Sequence, residues 1–548
     1  MPSFSIEGQY VDITGREIYP ARITVENRRV AAIQRLPNAG PLFLMPGFVD
    51  AHVHIESSML VPSEFARLAV VQGTVATVSD PHEIANVCGM EGVEYMINDG
   101  KQVNFKFYFG APSCVPATPF ETAGGEINAA DIDSLLARDE VVYLAEMMNW
   151  PGTVNRDRSV MEKIAIAQKY GKPVDGHAPG LRGDLAEKYA SAGISTDHEC
   201  FAAEEALDKL KLGMKILIRE GSAAKNFEAL VDLIDEHADH LMFCSDDKHP
   251  DNLAVGHINS LAARAVAKGK NLFDVLKVSC VNPVHHYNLE VGQLKVGDCA
   301  DFIVVKDLKD FAVVQTFING ELVAEKGNTL IPPVKSPVIN NFHVSTKTPM
   351  DFHIRGTGKK VRVIEALDGQ LITPEIIEEI KLLEGVAVAD PERDILKIAV
   401  VNRYKDSKPA VAFVKNFGIR AGAIASSVAH DSHNIIVVGV DDFSIARAVN
   451  KVIESKGGIA AILGDQEKVL PLPVGGIMSV NDGYQVAEQY TEIDLMAKEM
   501  GSTLQSPFMT LSFMALLVIP DLKLSDKGLF DGRDFRFKKL FTSPDSQM

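Results

Sequence analysis

At 548 residues the chain exceeds what one hydrophobic core organises, so two to four domains are expected. Apolar residues at 46% and charged residues at 23% are ordinary for a soluble globular protein. The formal charge of -18 argues against a nucleic-acid or anionic-membrane partner, since both need a concentrated positive field. The six cysteines (Cys88, Cys114, Cys200, Cys244, Cys280, Cys299) are scattered, with no Cys-x-x-Cys pair, which fits a reducing cytoplasm. Met1-Pro2-Ser3-Phe4 is not a basic region leading into an apolar one, so no signal peptide is expected. The most apolar run, 508–519, stops at Pro520 and is too short for a bilayer; it reads as buried core.

Residues 1–45 read as short strands, with 21–25 and 30–33 flanking the polar turn Glu26-Asn27-Arg28-Arg29. So small a piece cannot bury a core alone. Residues 289–330 supply a partner: strand-like runs at 300–305 and 313–318, the latter followed by Asn319-Gly320, a hairpin signal. One β domain, a split sandwich, is therefore expected from both flanks of a larger insert.

That insert, 46–288, alternates strand-like runs with helical stretches such as 158–170 and 227–237. The strand candidates are 48–54, 74–79, 105–109, 141–147, 173–177, 194–198, 214–218 and 241–244. Eight such runs match a (β/α)8 barrel. A doubly wound open sheet competes, weakened because no Gly-x-Gly-x-x-Gly follows the first strand. Chemistry in such barrels sits at the carboxyl ends of the strands. Those ends carry His52 and His54; Asp80, His82 and Glu83; Glu146; His177; His198; Arg219 and Glu220; and Asp246, Asp247 and His249. Any one of them alone is more simply a solvated loop residue. Histidine or carboxylate at six or more successive ends is harder to assign to chance.

Residues 331–350 read as a linker. Beyond them, strand-like runs at 395–401, 410–414, 421–426 and 434–438 and helix-like runs at 443–455 and 485–500 make 351–548 a second α/β domain. His430 and His433 lie in a polar cluster between two of its strands. They are either a polar turn or part of a loop covering the barrel mouth.

The residue types point to a metal-dependent hydrolase. Two cations held close together need a bridging carboxylate or hydroxide to offset their repulsion, and Glu146, midway round the barrel, suits that bridge. His52 and His54 would hold the first ion, His177 and His198 the second. Imidazole with carboxylate is compatible with Zn²⁺, Fe²⁺ or Mn²⁺, the carboxylates favouring the harder ions. A metal-bound water falls from a pKa of about 16 to about 7. Asp246 could bind the first ion, accept that water's proton and deliver it to a leaving group.

The order His52-x-His54, a strand-four carboxylate, His177, His198 and Asp246 resembles the amidohydrolase superfamily, whose members couple a β/α barrel to a split β-sandwich. Most two-metal members carry a carboxylated lysine where this chain has Glu146. Pro46-Gly47-Phe48-Val49-Asp50-Ala51-His52-Val53-His54-Ile55-Glu56-Ser57-Ser58, Ser79-Asp80-Pro81-His82-Glu83, Asp175-Gly176-His177-Ala178-Pro179 and Ser245-Asp246-Asp247-Lys248-His249-Pro250 resemble the bacterial adenine deaminases. The likeness runs on through 429–434 and 473–476. It implies adenine plus water giving hypoxanthine and ammonia in purine salvage or catabolism, two Mn²⁺ or Fe²⁺ ions per chain, and self-association into a homo-oligomer. The mechanism it implies is attack of bridging hydroxide on C6. Ring nitrogen N1 then needs an acid, for which Glu83 and His82 are the candidates, with Asp80 positioning them. Asp247, Lys248 and His249 are candidate supports. Another cyclic-amide hydrolase, dihydroorotase- or hydantoinase-like, and a catalytically dead assembly barrel are the alternatives.

Overall fold

The computed structural model describes residues 3–542. Its centre is a run of eight strands: β1 (Phe48–Val53), β2 (Thr74–Ser79), β3 (Lys106–Ala111), β4 (Val141–Met147), β5 (Val174–Gly176), β6 (Thr196–Asp197), β7 (Lys215–Arg219) and β8 (Leu241–Cys244). Strands β1 to β5 pair in order, as do β6 to β8, every pair parallel. Parallel bridges Val174–Ile194 and Val53–Asp246 join the two sets at both seams. The strands thus form a ring, and the open doubly wound sheet is set aside.

Residues of β1, β2 and β8 are buried without exception, as expected where helices cover a parallel sheet from outside. Gly176 ends β5 where an added Cβ would lie 2.3 Å from the Thr196 carbonyl oxygen, so only glycine lets β5 close on β6. The region expected as one helix over 227–237 is instead Phe227–Leu230, a 3-10 turn Val231–Leu233, and Ile234–His237. Phe227, Leu230, Val231 and Ile234 still face the core, so the helical spacing is met by short turns.

The flanks meet in one sheet: Phe43–Pro46 pairs in parallel with Phe4–Asp12 and antiparallel with Phe302–Val305. Three tight hairpins of this sheet use left-handed residues: Asn27 and Arg28, Asn319 and Gly320, and Lys326 and Gly327. Hydrogen bonding runs continuously through one eight-stranded sheet, so strand pairing does not separate the two layers of a sandwich.

Residues 330–348 carry no helix or strand, yet they are fastened on both sides. Asn340 Nδ2 donates to the Lys456 and Pro473 carbonyls at 2.7 and 3.1 Å, and Asn341 Nδ2 to the Val87 carbonyl at 3.2 Å. Beyond lies a second eight-stranded sheet with Ile395–Val401 and Ile435–Gly439 at its centre and helix Asp442–Glu454 packed on it. The buried apolar cluster holding Val53, Ile84 and Met147 runs unbroken to Ile436, Phe513 and Leu522. The second α/β region therefore shares a core with the ring. The apolar run near the C-terminus contains the fully buried helix Pro507–Phe513, and no helix among the described residues is long and apolar enough to cross a membrane.

Candidate active site

Strand β1 ends at Val53, and His54 enters the next turn still extended (φ -93°, ψ 99°), so the two imidazoles converge with Nε2 atoms 3.2 Å apart. Asp246, just past β8, has φ +54°, a left-handed conformation uncommon outside glycine. Its N–H donates to the His52 carbonyl at 2.9 Å and its carbonyl accepts from the His54 N–H at 3.3 Å. These bonds place the Asp246 carboxylate 3.4 Å from His52 Nε2 and 3.3 Å from His54 Nε2.

Glu146, at the end of β4, reaches both sides of the ring. Its Oε1 lies 3.2 Å from His54 Nε2, and its Oε2 lies 2.7 Å from His177 Nδ1 and 3.2 Å from His198 Nε2. His82 Nδ1 is 3.4 Å from Glu146 and 3.0 Å from Asp80, whose carboxylate orients that ring. All these side chains are buried.

Two residues that sequence reasoning left without a role complete the cluster. Glu199 Oε1 lies 3.5 Å from both His177 Nδ1 and His198 Nε2. Arg219, at the end of β7, grips Glu199 through two bonds of 2.5 and 2.8 Å and Asp246 through one of 2.5 Å. Glu199 adjoins His198, which was its one available signal.

Ligand-type atoms fall into a His52, His54, Asp246 group and a His177, His198, Glu199 group, with Glu146 within reach of both. The donor set fits cations. Two imidazole nitrogens facing each other at 3.2 Å need a shared proton or a shared cation between their lone pairs. His52 Nδ1 and His177 Nε2 are buried without a hydrogen-bond partner among the described residues. Burial alone would lift the carboxylates, but His177 and His198 hold Glu146 far below the usual range, and Arg219 does the same for Asp246. Burial depresses the imidazoles, yet facing carboxylates raise His198 to about 9 and His54 well above its ordinary value. Protons thus occupy positions that a divalent ion would take.

The roof comes from the second α/β region. His433, left-handed at φ +53°, accepts the Ala429 N–H on Nδ1 at 3.2 Å, which leaves its Nε2–H to donate to Glu83. His430 Nδ1–H donates to the other Glu83 oxygen. The cavity over the imidazoles is lined by Glu83, His430, Asp431, Met148, Leu371, Phe513 and Leu516, together with Asp247. His430 and His433 are thus buried against Glu83 rather than exposed in a surface turn. Asp247 accepts from Ser57 Oγ at 2.5 Å beneath this roof. His249 does not reach the cavity: its Nδ1 pairs with the Tyr490 hydroxyl at 2.6 Å, and burial pushes it down to about 3. Lys248 is likewise buried away from the cavity, and burial lowers it to about 8.

Residues 43–323 match the amidohydrolase family, and residues 370–536 match the adenine deaminase C-terminal domain, the stretch supplying Leu371, His430, Asp431, His433, Phe513 and Leu516. The adenine deaminase of Salinibacter ruber is 56% identical over 98% of this chain and 99% of that protein. The chain belongs to the adenine deaminase family. Other adenine deaminases are similar over comparable lengths. That of a Sulfurovum species is 57% identical (97% of this chain, 98% of that one), and that of Borreliella burgdorferi 51% (98% and 100%). Membership in the adenine deaminase family makes the chain a hydrolase acting on a C–N bond and disfavours the dihydroorotase-like and dead-barrel alternatives.

Proposed function

We propose that this chain hydrolyses adenine to hypoxanthine and ammonia, using two divalent cations held at the carboxyl ends of the barrel strands. The observation that carries the reading is Glu146, whose two oxygens reach His54 on one side and His177 and His198 on the other. In this reading His52, His54 and Asp246 would hold one ion and His177 and His198 the other, with Glu146 within reach of both sets. Glu199 lies close enough to His177 and His198 to take part. Mixed nitrogen and oxygen donors without a thiolate suit Mn²⁺ or Fe²⁺, with Zn²⁺ also compatible. Such ions supply Lewis-acid activation of water at neutral pH.

The chain's own groups supply the proton transfers. Asp246, kept ionised by Arg219, accepts a proton from the attacking water and returns it to the departing amino group. Glu83 would serve the ring nitrogen N1: the proton it shares with His430 is delivered there, and the second proton of the attacking water replaces it as the C6 hydroxyl becomes a carbonyl. His433 fixes the other Glu83 oxygen, and Asp80 orients His82. Four apolar side chains that line the cavity, Met148, Leu371, Phe513 and Leu516, would pack on the purine faces and keep water from them.

The architecture we infer is a (β/α)8 barrel over 46–288, a split β-sandwich from 1–45 with 289–330, and, after 331–350, a C-terminal α/β domain over 351–548. The shared apolar core supports treating that last domain as part of the active unit. Ammonia release from adenine, adenosine and guanine with added Mn²⁺ tests the reading. Release from adenine is the expected result, and none from adenine would overturn it.

A further inference from the structure

We propose that Asp431 selects the free base: its carboxylate accepts the N–H that the imidazole ring of adenine carries and that an N9-substituted purine lacks. The inference rests on the reading above and extends it to the far end of the substrate.

Asp431 is 3% exposed and lines the cavity over the imidazoles. Its Oδ2 is buried with no hydrogen-bond partner among the described residues. A carboxylate oxygen removed from water without a donor is costly, so a donor that arrives with the substrate accounts for its retention there. Asp431 Oδ1 lies 3.7 Å from His82 Nε2, and Glu83 Oε1 lies 3.4 Å from the same nitrogen. The two carboxylates therefore approach the same imidazole nitrogen from within the cavity they both line. In adenine, N1 and the N9–H lie along the edge that carries N3. With N1 at Glu83, the N9–H points away along the cavity, whose lining includes Asp431 with its unpaired Oδ2.

Met148, Leu371, Phe513 and Leu516, which line the cavity, are apolar and offer the ring no side-chain acceptor. Two of these walls are fixed from behind: Lys523 Nζ, fully buried, donates to the Leu371 and Phe513 carbonyls at 2.7 and 3.0 Å. A nucleoside offers only a lone pair at N7 and a sugar at N9. Both oppose a buried carboxylate, and a site built to bond a donor rejects analogues lacking it far more strongly than an apolar pocket does.

The test uses full-length, Mn²⁺-loaded protein with Asp431→Ala and the isosteric Asp431→Asn. Metal content, kcat and KM for adenine, and the inhibition constant of 9-methyladenine are measured against wild type. With ion content unchanged, Asp431→Ala should raise the adenine KM by about tenfold or more, with a smaller fall in kcat. It should narrow the preference for adenine over 9-methyladenine by a similar factor. Asp431→Asn, which keeps the shape and one acceptor, should shift both in the same direction by less, and it carries the test if the alanine protein does not fold. An unaltered adenine KM, or equal weakening of both purines, overturns the assignment. Wild-type protein that releases no ammonia from adenine defeats the functional reading and Asp431 with it. Wild-type activity with an unchanged preference in both variants defeats Asp431 alone.

Discussion

Replacing Arg219 by methionine removes the guanidinium that bonds both Glu199 and Asp246, while keeping most of the buried stem. The guanidinium makes three bonds of 2.5 to 2.8 Å to carboxylates that are 2% exposed. Breaking a buried pair by deleting one partner costs about 3–5 kcal/mol, since the remaining charge stays uncompensated. An unfolding entropy of about 2.1 cal/mol/K per residue over a chain this long gives on the order of 1 kcal/mol per degree, hence a fall of about 3–5 °C for the metal-free protein. Divalent ions would supply the missing positive charge, so the Mn²⁺-loaded variant should lose less than half as much. The penalty should also shrink in acid. Asp246 is depressed in the wild type, so its stabilisation is present above the unfolded value near pH ~4 and is lost only as pH falls through its lower folded value. In the variant that carboxylate takes up a proton at higher pH and escapes the penalty. Differential scanning calorimetry of chelated and loaded protein at pH 5.5 and 8 reads all of this. Equal destabilisation with and without metal would refute the reasoning.

Glu146→Gln should reduce bound metal to less than half and abolish ammonia release, because the shared ligand loses its charge; elemental analysis beside the activity assay checks it. Asp246→Asn should retain more of its metal than Glu146→Gln does and lose about 10²–10⁴-fold in kcat. His433→Ala should leave the metal content intact and lower kcat by about tenfold or more by freeing Glu83, and His433→Gln, which keeps a donor, should restore part of it. Metal loading should release protons, since carboxylates hold His54 and His198 protonated in the metal-free protein, His198 up to about 9. Apparent affinity should therefore strengthen as pH rises towards 9, and calorimetric titration in buffers of different ionisation enthalpy measures the protons displaced.

The ring was legible because the alternation of buried runs and helices is local, and because each strand end displays its polar residue next to an apolar stretch. His52 and His54 announce themselves by two-residue spacing, and Glu146, His177, His198 and Asp246 by position after a buried run. Glu199 and Arg219 were less visible, since a charged residue after a strand is usually solvated and only the fold turns these two inward. The roof was least legible. Glu83 and His430 are 347 residues apart, and no local periodicity brings them together. Asp431 has a role only once the loop is seen to lie over the barrel. The same holds for 227–237, where apolar spacing specified which residues face inward but not the hydrogen-bond pattern that carries them.

The central claim is that one cluster of imidazoles and carboxylates holds two cations whose joint presence makes adenine hydrolysis possible. Its most direct test is titration of chelated protein with Mn²⁺ while ammonia release from adenine is followed. Activity that climbs from zero and levels off at two equivalents per chain is the predicted result. Full activity in the chelated protein, or a plateau at one equivalent, would contradict the account.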